Sequence, residues 1–222
     1  MGCPDQAQTV LYLLYHEYLV DEQSAKFVHE VSRRYTIGTL ERLAEFGQRP
    51  ARRAATLALG FLANFGSNGV LGRRLNDSDR CVRMLADNGI RDIWCRDGSD
   101  SEQQLLQVII RLNNAGQYEQ TICEAGQLQE QSPWFAEVWN QRAIAYFHQN
   151  AFSPAACDCR RALELNPYHF EAAVGMGQCY LELEDAYAAL DAFRRALKLN
   201  PGLEGVRAQI SFLERTLEEK EG

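Results

Sequence analysis

The sequence predicts an all-α chain, an α-α superhelix (solenoid) built from helix-turn-helix repeats. The segment "RRALELNP", Arg160–Pro167, recurs thirty-four residues later as "RRALKLNP", Arg194–Pro201, with seven of eight positions identical. Apolar residues keep a spacing of three or four along most of the chain, as amphipathic helices require. A fixed internal period of this length is typical of stacked repeats.

Three prolines set the boundaries of the repeated units. Pro133, Pro167 and Pro201 follow one another at thirty-four residues. The units that end near these prolines are 102–135, 136–169 and 170–203.

Each unit is expected to form two antiparallel helices. Trp139, Ala143 and Tyr146 form an apolar stripe on the first helix of the second unit, and Ala155 and Ala162 form the facing stripe on its second helix. The Asn-Pro pairs end the second helices, because proline disfavours helical angles at the residue before it and donates no helical hydrogen bond. One such hairpin cannot bury its apolar face alone, so neighbouring hairpins must stack.

This pattern resembles the tetratricopeptide repeat (TPR) family, whose 34-residue unit carries a Trp, small-residue, Tyr, Ala, Phe, Ala and Pro signature. The first unit departs from it, because Ile109 replaces the small residue and Thr121 replaces an alanine. We therefore expect its two helices to pack more loosely. A further amphipathic helix over 204–222, charged towards its end, is expected to cap the array.

The resemblance implies that the first helices line a groove that binds a peptide or a helical partner. Carboxamides there offer a donor and an acceptor to a peptide backbone, and apolar side chains anchor it. Some TPR domains clamp terminal carboxylates with Lys and Arg, but those places hold Leu106, Ile110, Ile144 and Val174. The alternative is a groove filled by the chain's own C-terminal helix or first half. The predicted groove residues are Asn113, Asn140, Ile144, Phe147, His148, Val174, Gln178 and Leu181.

The first half also predicts paired helices. Thr36 is placed to cap one helix, Pro50 to begin the next, and Gly66 to end it. The segment "DSDRCVR", 77–83, resembles the start of the second helix in HEAT or armadillo repeats. The predicted organisation is therefore a HEAT-like region over 1–95, a joint over 96–101, and the three TPR units with their capping helix.

Charge is distributed unevenly. Residues 1–101 hold 13 Lys and Arg against 13 Asp and Glu, whereas residues 102–222 hold 10 against 17. The first half is rich in arginine, which raises the alternative of a nucleic-acid or polyanion surface. The competing interpretation is a structural ladder in which Arg53 and Arg83 pair with Asp77 and Asp79. The zero net charge of this half favours the ladder and argues against nucleic acid. The candidate polyanion-binding residues are Arg49, Arg52, Arg53, Arg73 and Arg74.

Motifs for catalysis or metal binding do not emerge from the sequence. The seven cysteines have no paired spacing, the four histidines lack ligand spacing, and no phosphate loop or nucleophile motif appears. We therefore expect no enzymatic activity, no cofactor, no metal and no membrane segment, in a protein of the cytoplasm. The sequence predicts a non-catalytic adaptor or scaffold that binds another protein, and it leaves a homodimer open.

Overall fold

The computed structural model of the chain describes residues 4–221, and the side chains of residues 10–219. Within that range the chain is all-helical, with thirteen α-helices, a short 3-10 turn at Phe65–Ser67 and no strand. None of these helices combines the length and the apolar character that crossing a membrane requires. The helices are α1 (Pro4–Asp21), α2 (Ser24–Ser32), α3 (Ile37–Phe46), α4 (Arg49–Leu62), α5 (Asn68–Arg74), α6 (Arg80–Trp94), α7 (Asp100–Asn114), α8 (Tyr118–Gln131), α9 (Ala136–His148), α10 (Phe152–Leu165), α11 (Phe170–Glu182), α12 (Ala186–Leu199) and α13 (Glu204–Glu221).

The chain divides into two compact units, Met1–Arg96 and Asp97–Gly222. In the first unit α4 is central, because it contacts α1, α2, α3, α5 and α6. Its alanine-rich inner face is fully buried together with Leu59. Small side chains on this face let the neighbouring helices approach the same helix.

Helices α4 and α6 cross at two glycines. A β-carbon added to Gly60 would lie 2.9 Å from the Cα of Gly89, and one added to Gly89 would lie 2.7 Å from the Cα of Gly60. Real β-carbons essentially never approach another heavy atom so closely. The crossing therefore depends on hydrogen at both positions.

The ends of the helices in the first unit follow local side-chain chemistry. Thr36 caps α3 by accepting a hydrogen bond from the Thr39 amide at 3.3 Å, as predicted. Pro50 lies in the first turn of α4, also as predicted. The prediction that Gly66 ends this helix is wrong: α4 ends at Leu62, and Gly66 lies in the 3-10 turn. Arg96 explains the earlier end.

The guanidinium of Arg96 caps the carbonyl end of α4. It donates to the carbonyl oxygens of Gly60 and Ala63 at 2.6 Å each, and to that of Phe61 at 3.1 Å. These carbonyls have no amide partner in the helix, and a cation beside them also opposes the negative end of the helix dipole. The stop signal of α4 therefore lies more than thirty residues further along the chain.

The second unit consists of three hairpins, α7–α8, α9–α10 and α11–α12, followed by α13. Each second helix also contacts the first helix of the next hairpin. The two helices of the first hairpin are in less close contact than those of the other two, as the substitutions at Ile109 and Thr121 led us to expect. Helix α13 packs on α12 through Val206, Ile210 and Leu213.

The turn inside each hairpin has one repeated geometry. Gly116, Asn150 and Glu184 occupy the same place in successive repeats, with φ angles of 71°, 58° and 60°. The amide of the next residue bonds a carbonyl five residues back at 2.9 Å in all three turns. Together with the bond from the left-handed residue itself, this is the Schellman ending of a helix.

The joint between hairpins is also repeated. Ser132, Asn166 and Asn200 precede the three prolines with φ angles of −134°, −128° and −132°. These extended angles are those that proline imposes on the residue before it. The prediction that the Asn-Pro pairs end the second helices is confirmed.

Replacing Gly60 by alanine should destabilise the first unit by about 1–3 kcal/mol, because the new methyl group overpacks the crossing with Gly89. Gly38→Ala is the matched control, since a β-carbon at Gly38 meets nothing within 4 Å. That change should be neutral or stabilising by up to about 1 kcal/mol, because alanine favours the helix. Urea unfolding followed by circular dichroism measures both. Equal effects of the two substitutions would contradict the role of the crossing.

Replacing Glu184 by glycine should stabilise the chain by about 0.5–1 kcal/mol, because a left-handed backbone strains a residue with a β-carbon. Asn150→Gly should change stability much less, since asparagine tolerates this conformation. Thermal unfolding of both variants tests the difference. A larger increase in stability for Asn150→Gly than for Glu184→Gly would show that the backbone strain does not lie at Glu184.

Candidate functional site

The first helices of the three hairpins lie side by side, since α9 contacts both α7 and α11. We call the surface formed by α7, α9 and α11 the first-helix face. Every predicted groove residue lies on one of these three helices. All the predicted groove residues therefore lie on this face, but they differ in burial and in their hydrogen bonds.

A buried carboxylate lies at the centre of this face. Glu137, in the first turn of α9, faces His169, the residue before α11, and Glu137 Oε2 is 2.9 Å from His169 Nε2. Both residues are buried. His169 Nδ1 accepts the amide of Ala172 at 3.2 Å, so it carries no proton. The neutral ring is therefore protonated at Nε2 and donates to Glu137.

Carboxamides extend this pair into a network across the three helices. Gln141 Nε2 and Asn140 Nδ2 donate to Glu137 Oε1 at 2.7 and 3.3 Å. Asn113 Nδ2 on α7 donates at 2.8 Å to both the main-chain carbonyl and the side-chain oxygen of Gln141. A continuous hydrogen-bonded path thus runs from α7 through α9 to the start of α11.

Hydrogen bonding keeps Glu137 ionised despite its burial. Burial is the largest single influence and acts to raise its pKa. The bond from His169, the electrostatic attraction of its ring, and the bonds from Gln141 and Asn140 together outweigh burial, so the pKa of Glu137 lies below its usual value. A buried charge is tolerable only when it is satisfied in this way.

The predicted groove residues separate into three groups. Asn113 and Asn140 are buried, and their amide groups donate within the network. Phe147, Val174 and Leu181 are half-buried. Ile144, His148 and Gln178 are exposed, so they are the accessible members of the predicted set.

Aromatic contacts fix two of these side chains. His148 stacks on Tyr118, with ring centroids 4.6 Å apart and planes 10° apart. Phe147 meets Phe152 edge to face with centroids 5.4 Å apart. Both contacts join the first-helix face to the second helix of a hairpin, so the two rings are held in place within the unit itself.

Sequence reasoning missed the role of His169. Because no second ligand stands at a suitable spacing, the sequence predicts no metal-binding role for His169. The sequence feature that could have indicated this role is an acid, Glu137, at the second position of the unit 136–169 and a histidine at its last position. Among the described residues, no group of three or more His, Cys, Asp or Glu side chains is arranged to hold a metal ion.

The candidate polyanion residues of the first unit are all paired with carboxylates. Asp79 binds Arg49 and Arg53, each with its Nε at 2.7 Å. Asp77 binds Arg52 and Arg74 at 3.0 Å each, and Arg73 pairs with Glu45. These pairs form the ladder that the sequence offered as the competing interpretation.

The prediction that Arg83 pairs with one of these aspartates is wrong. Arg83 does not pair with an acid; its guanidinium donates to the main-chain carbonyls of Asp77 at 2.7 Å and of Ser78 at 3.3 Å. Asp77 and Asp79 are almost fully buried, and their carboxylates already have two arginines each. The carbonyls of the loop are what remains for Arg83 to bind.

The arginines hold Asp79 in its charged form. The hydrogen bonds from Arg53 lower its pKa, burial acts in the opposite direction, and the bond from Arg49 lowers it further. The net result is a pKa far below the usual value. Asp79 also accepts the amide of Cys81 at 2.9 Å, so the same carboxylate caps α6.

Comparison with known proteins agrees with the repeat. A family model of the tetratricopeptide repeat matches residues 170–203. Among solved structures, the first TPR of Spaghetti (RPAP3), bound to the HSP90 peptide SRMEEVD, is similar with a TM-score of 0.52 at 22% identity, over 55% of this chain and 96% of that one.

Two further structures give the same result. The first TPR domain of the human RPAP3 protein has a TM-score of 0.51 at 23% identity, over 54% of this chain and 94% of its own. The Sgt2 TPR domain from Aspergillus fumigatus has a TM-score of 0.52 at 19% identity, over 55% of this chain and 83% of its own. Likeness at this identity shows the fold. The chain thus contains a tetratricopeptide repeat in an all-helical fold, and the HEAT-like assignment of 1–95 stays a prediction.

Replacing Glu137 by glutamine should destabilise the chain by about 1.5–3 kcal/mol at neutral pH, because a charged acceptor of three buried hydrogen bonds is lost. Since the pKa of Glu137 is lowered on folding, its contribution is present above the ordinary carboxyl value and is lost as the pH falls through the folded value. The gap between wild type and Glu137→Gln should therefore narrow in acid.

Urea unfolding between pH 3 and pH 8 makes this comparison. Glu130→Gln, at an exposed position on α8, is the control and should show no pH-dependent gap. If the difference in stability between wild type and Glu137→Gln stays constant with pH, the ionised carboxylate of Glu137 is not what stabilises the fold.

Proposed function

We propose that this chain is a non-catalytic, cytoplasmic adaptor that binds a peptide or helical segment of another protein on its first-helix face. The observation that carries the proposal is the pairing of accessible apolar and polar groups there. Ile144 is 37% exposed on α9, and Gln178 is exposed at the equivalent position of α11. A backbone amide of a partner can bond the carboxamide while its side chain covers the isoleucine.

The buried network gives this face a fixed shape. Asn113 and Asn140 act through their bonds to Gln141 and Glu137, and they position α7 and α9 rather than contact the partner. Holding a binding surface rigid before binding reduces the conformational entropy lost on association. Phe147, Val174 and Leu181 are half-buried because they pack against the hydrophobic core, so they support this face more than they contact a partner.

The partner should differ from the peptide that the RPAP3 domain binds. That peptide, SRMEEVD, is acidic at its end. At the places where some TPR domains carry cations, this chain has Leu106, which is fully buried, and the apolar Ile110, Ile144 and Val174. We infer a partner that binds through its backbone and apolar side chains.

Two observations bear on the remaining alternatives. The six cysteines of the described range are free, which suits a reducing compartment. The five candidate polyanion arginines each bind a carboxylate, which leaves less charge for tracking a nucleic-acid backbone. The adaptor proposal therefore stands ahead of a nucleic-acid role.

Affinity capture from a cell extract at high salt, with wild type and variants compared by quantitative mass spectrometry, tests the proposal. Ile144→Arg and Gln178→Ala should lose the same protein, because both change the accessible part of the face. Phe212→Arg, at a side chain that is 62% exposed on α13, is the matched control and should retain it. A captured protein that Ile144→Arg and Phe212→Arg retain equally would sink the proposal.

Direct titration with the peptide SRMEEVD adds a second test. We expect no part of the binding that Ile144→Arg removes to be tighter than about 1 mM, because no cation replaces the clamp on the first-helix face. Micromolar binding that Ile144→Arg abolishes would show that the first-helix face recognises terminal carboxylates, which contradicts the inferred partner chemistry.

A further inference from the structure

The first unit has a cavity where α4 and α6 begin. Its volume is about 720 Å³. Arg49 and Arg53, from the first two turns of α4, form one side, and Arg80, Cys81 and Met84, from the start of α6, form the other. Asp79 lies between the two groups and bonds both Arg49 and Arg53.

Positive charge exceeds negative charge around this cavity. Arg49, Arg52, Arg53 and Arg80 line it, and the only lining acid among the described residues is Asp79. Asp77, which lies in the same loop as Asp79, adds a second carboxylate, and Arg74 and Arg83 also bond to this loop. The two carboxylates are therefore surrounded by six arginines: Arg49, Arg52, Arg53, Arg74, Arg80 and Arg83. Four positive charges remain after both carboxylates are neutralised.

Some of this charge is accessible to a ligand. The Arg49 side chain is 68% exposed although its Nε binds Asp79, and its terminal nitrogens have no part in that bond. Arg80 is exposed and belongs to none of the ion pairs of Asp77 and Asp79. Because α4 and α6 both begin here, the positive ends of two helix dipoles add to the same field.

An apolar wall accompanies the charge. Met84, one turn into α6, is 57% exposed, and the half-buried Cys81 lies beside it on the cavity surface. Methionine is a flexible side chain that adapts to varied apolar partners. A ligand that fits this cavity therefore combines negative groups with an apolar group.

We propose that this arginine cavity binds a short acidic segment of a partner protein, with carboxylates on Arg80 and Arg49 and an apolar side chain on Met84. The charge pattern favours a peptide over a nucleic acid. Residues 1–96 carry 13 Lys and Arg against 11 Asp and Glu, so the excess of four positive charges at the cavity falls to two over the whole unit, because acids predominate elsewhere in it. A regular phosphate backbone would extend beyond the cavity and meet those acids. The site is separate from the first-helix face.

Fluorescence anisotropy of the full chain with a fluorescein-labelled peptide Glu-Glu-Leu-Glu-Glu tests the proposal at 50 and 300 mM salt. The peptide should bind, and binding should weaken at the higher salt because the contacts are ionic. The neutral peptide Gln-Gln-Leu-Gln-Gln should not bind. Arg80→Gln should weaken the acidic peptide about tenfold, as expected for the loss of a hydrogen bond between charged groups.

Two further variants separate the site from general charge. Met84→Ala should also weaken binding, although it changes no charge. Arg42→Gln removes an exposed arginine that does not line the cavity, and it should bind the peptide like wild type. Circular dichroism establishes that each variant folds.

Several outcomes would overturn the proposal. They are absence of binding, equal weakening by Arg80→Gln and Arg42→Gln, and equal binding of the acidic and neutral peptides. A labelled single-stranded DNA 12-mer that binds more tightly than the peptide, and loses affinity with Arg80→Gln, would assign the cavity to nucleic acid instead. None of these outcomes bears on the first-helix face, whose test uses different variants.

Discussion

Both units depend on helices that approach each other at positions without a β-carbon. In the first unit α4 crosses α6 at Gly60 and Gly89, where added β-carbons would lie 2.9 and 2.7 Å from the opposite Cα atom. In the second unit a β-carbon on Gly177 would lie 2.6 Å from the Phe193 ring. Helices that pack this closely also bury polar side chains elsewhere along their contacts, and these side chains must find partners inside the protein.

The two units meet this requirement with partly different chemistry. In the first, Asp77 and Asp79 each bind two arginines, so charged groups are paired directly. The second unit pairs Asp158 with Arg142 in the same way, but it satisfies Glu137 with neutral donors from His169 and two carboxamides. The arginine pairs of the first unit leave cations at the surface, whereas the Glu137 network hides its charge.

The repeated features of the sequence predicted local structure well. Proline spacing placed the joints of the hairpins, and Thr36 and Pro50 placed two helix starts, because caps and prolines act within one turn of the residue itself. Predictions that depended on distant residues were less successful. The end of α4 is set by Arg96, and the use of Asn113 inside the network depends on Gln141, 28 residues further along the chain. Such contacts carry no sequence period, so only the folded chain shows which groove residues remain accessible.

The position of the Glu137–His169 bond within its repeat has a consequence for how such a chain grows. Both residues belong to the same block, 136–169, at its second and its last position. The bond that attaches this hairpin to the next helix is therefore encoded wholly within one repeat. The block also contains its own left-handed turn at Asn150 and its own Asn-Pro ending. Duplication of this stretch of gene would add a hairpin together with its own connection, so the array can lengthen without new mutations at the junction.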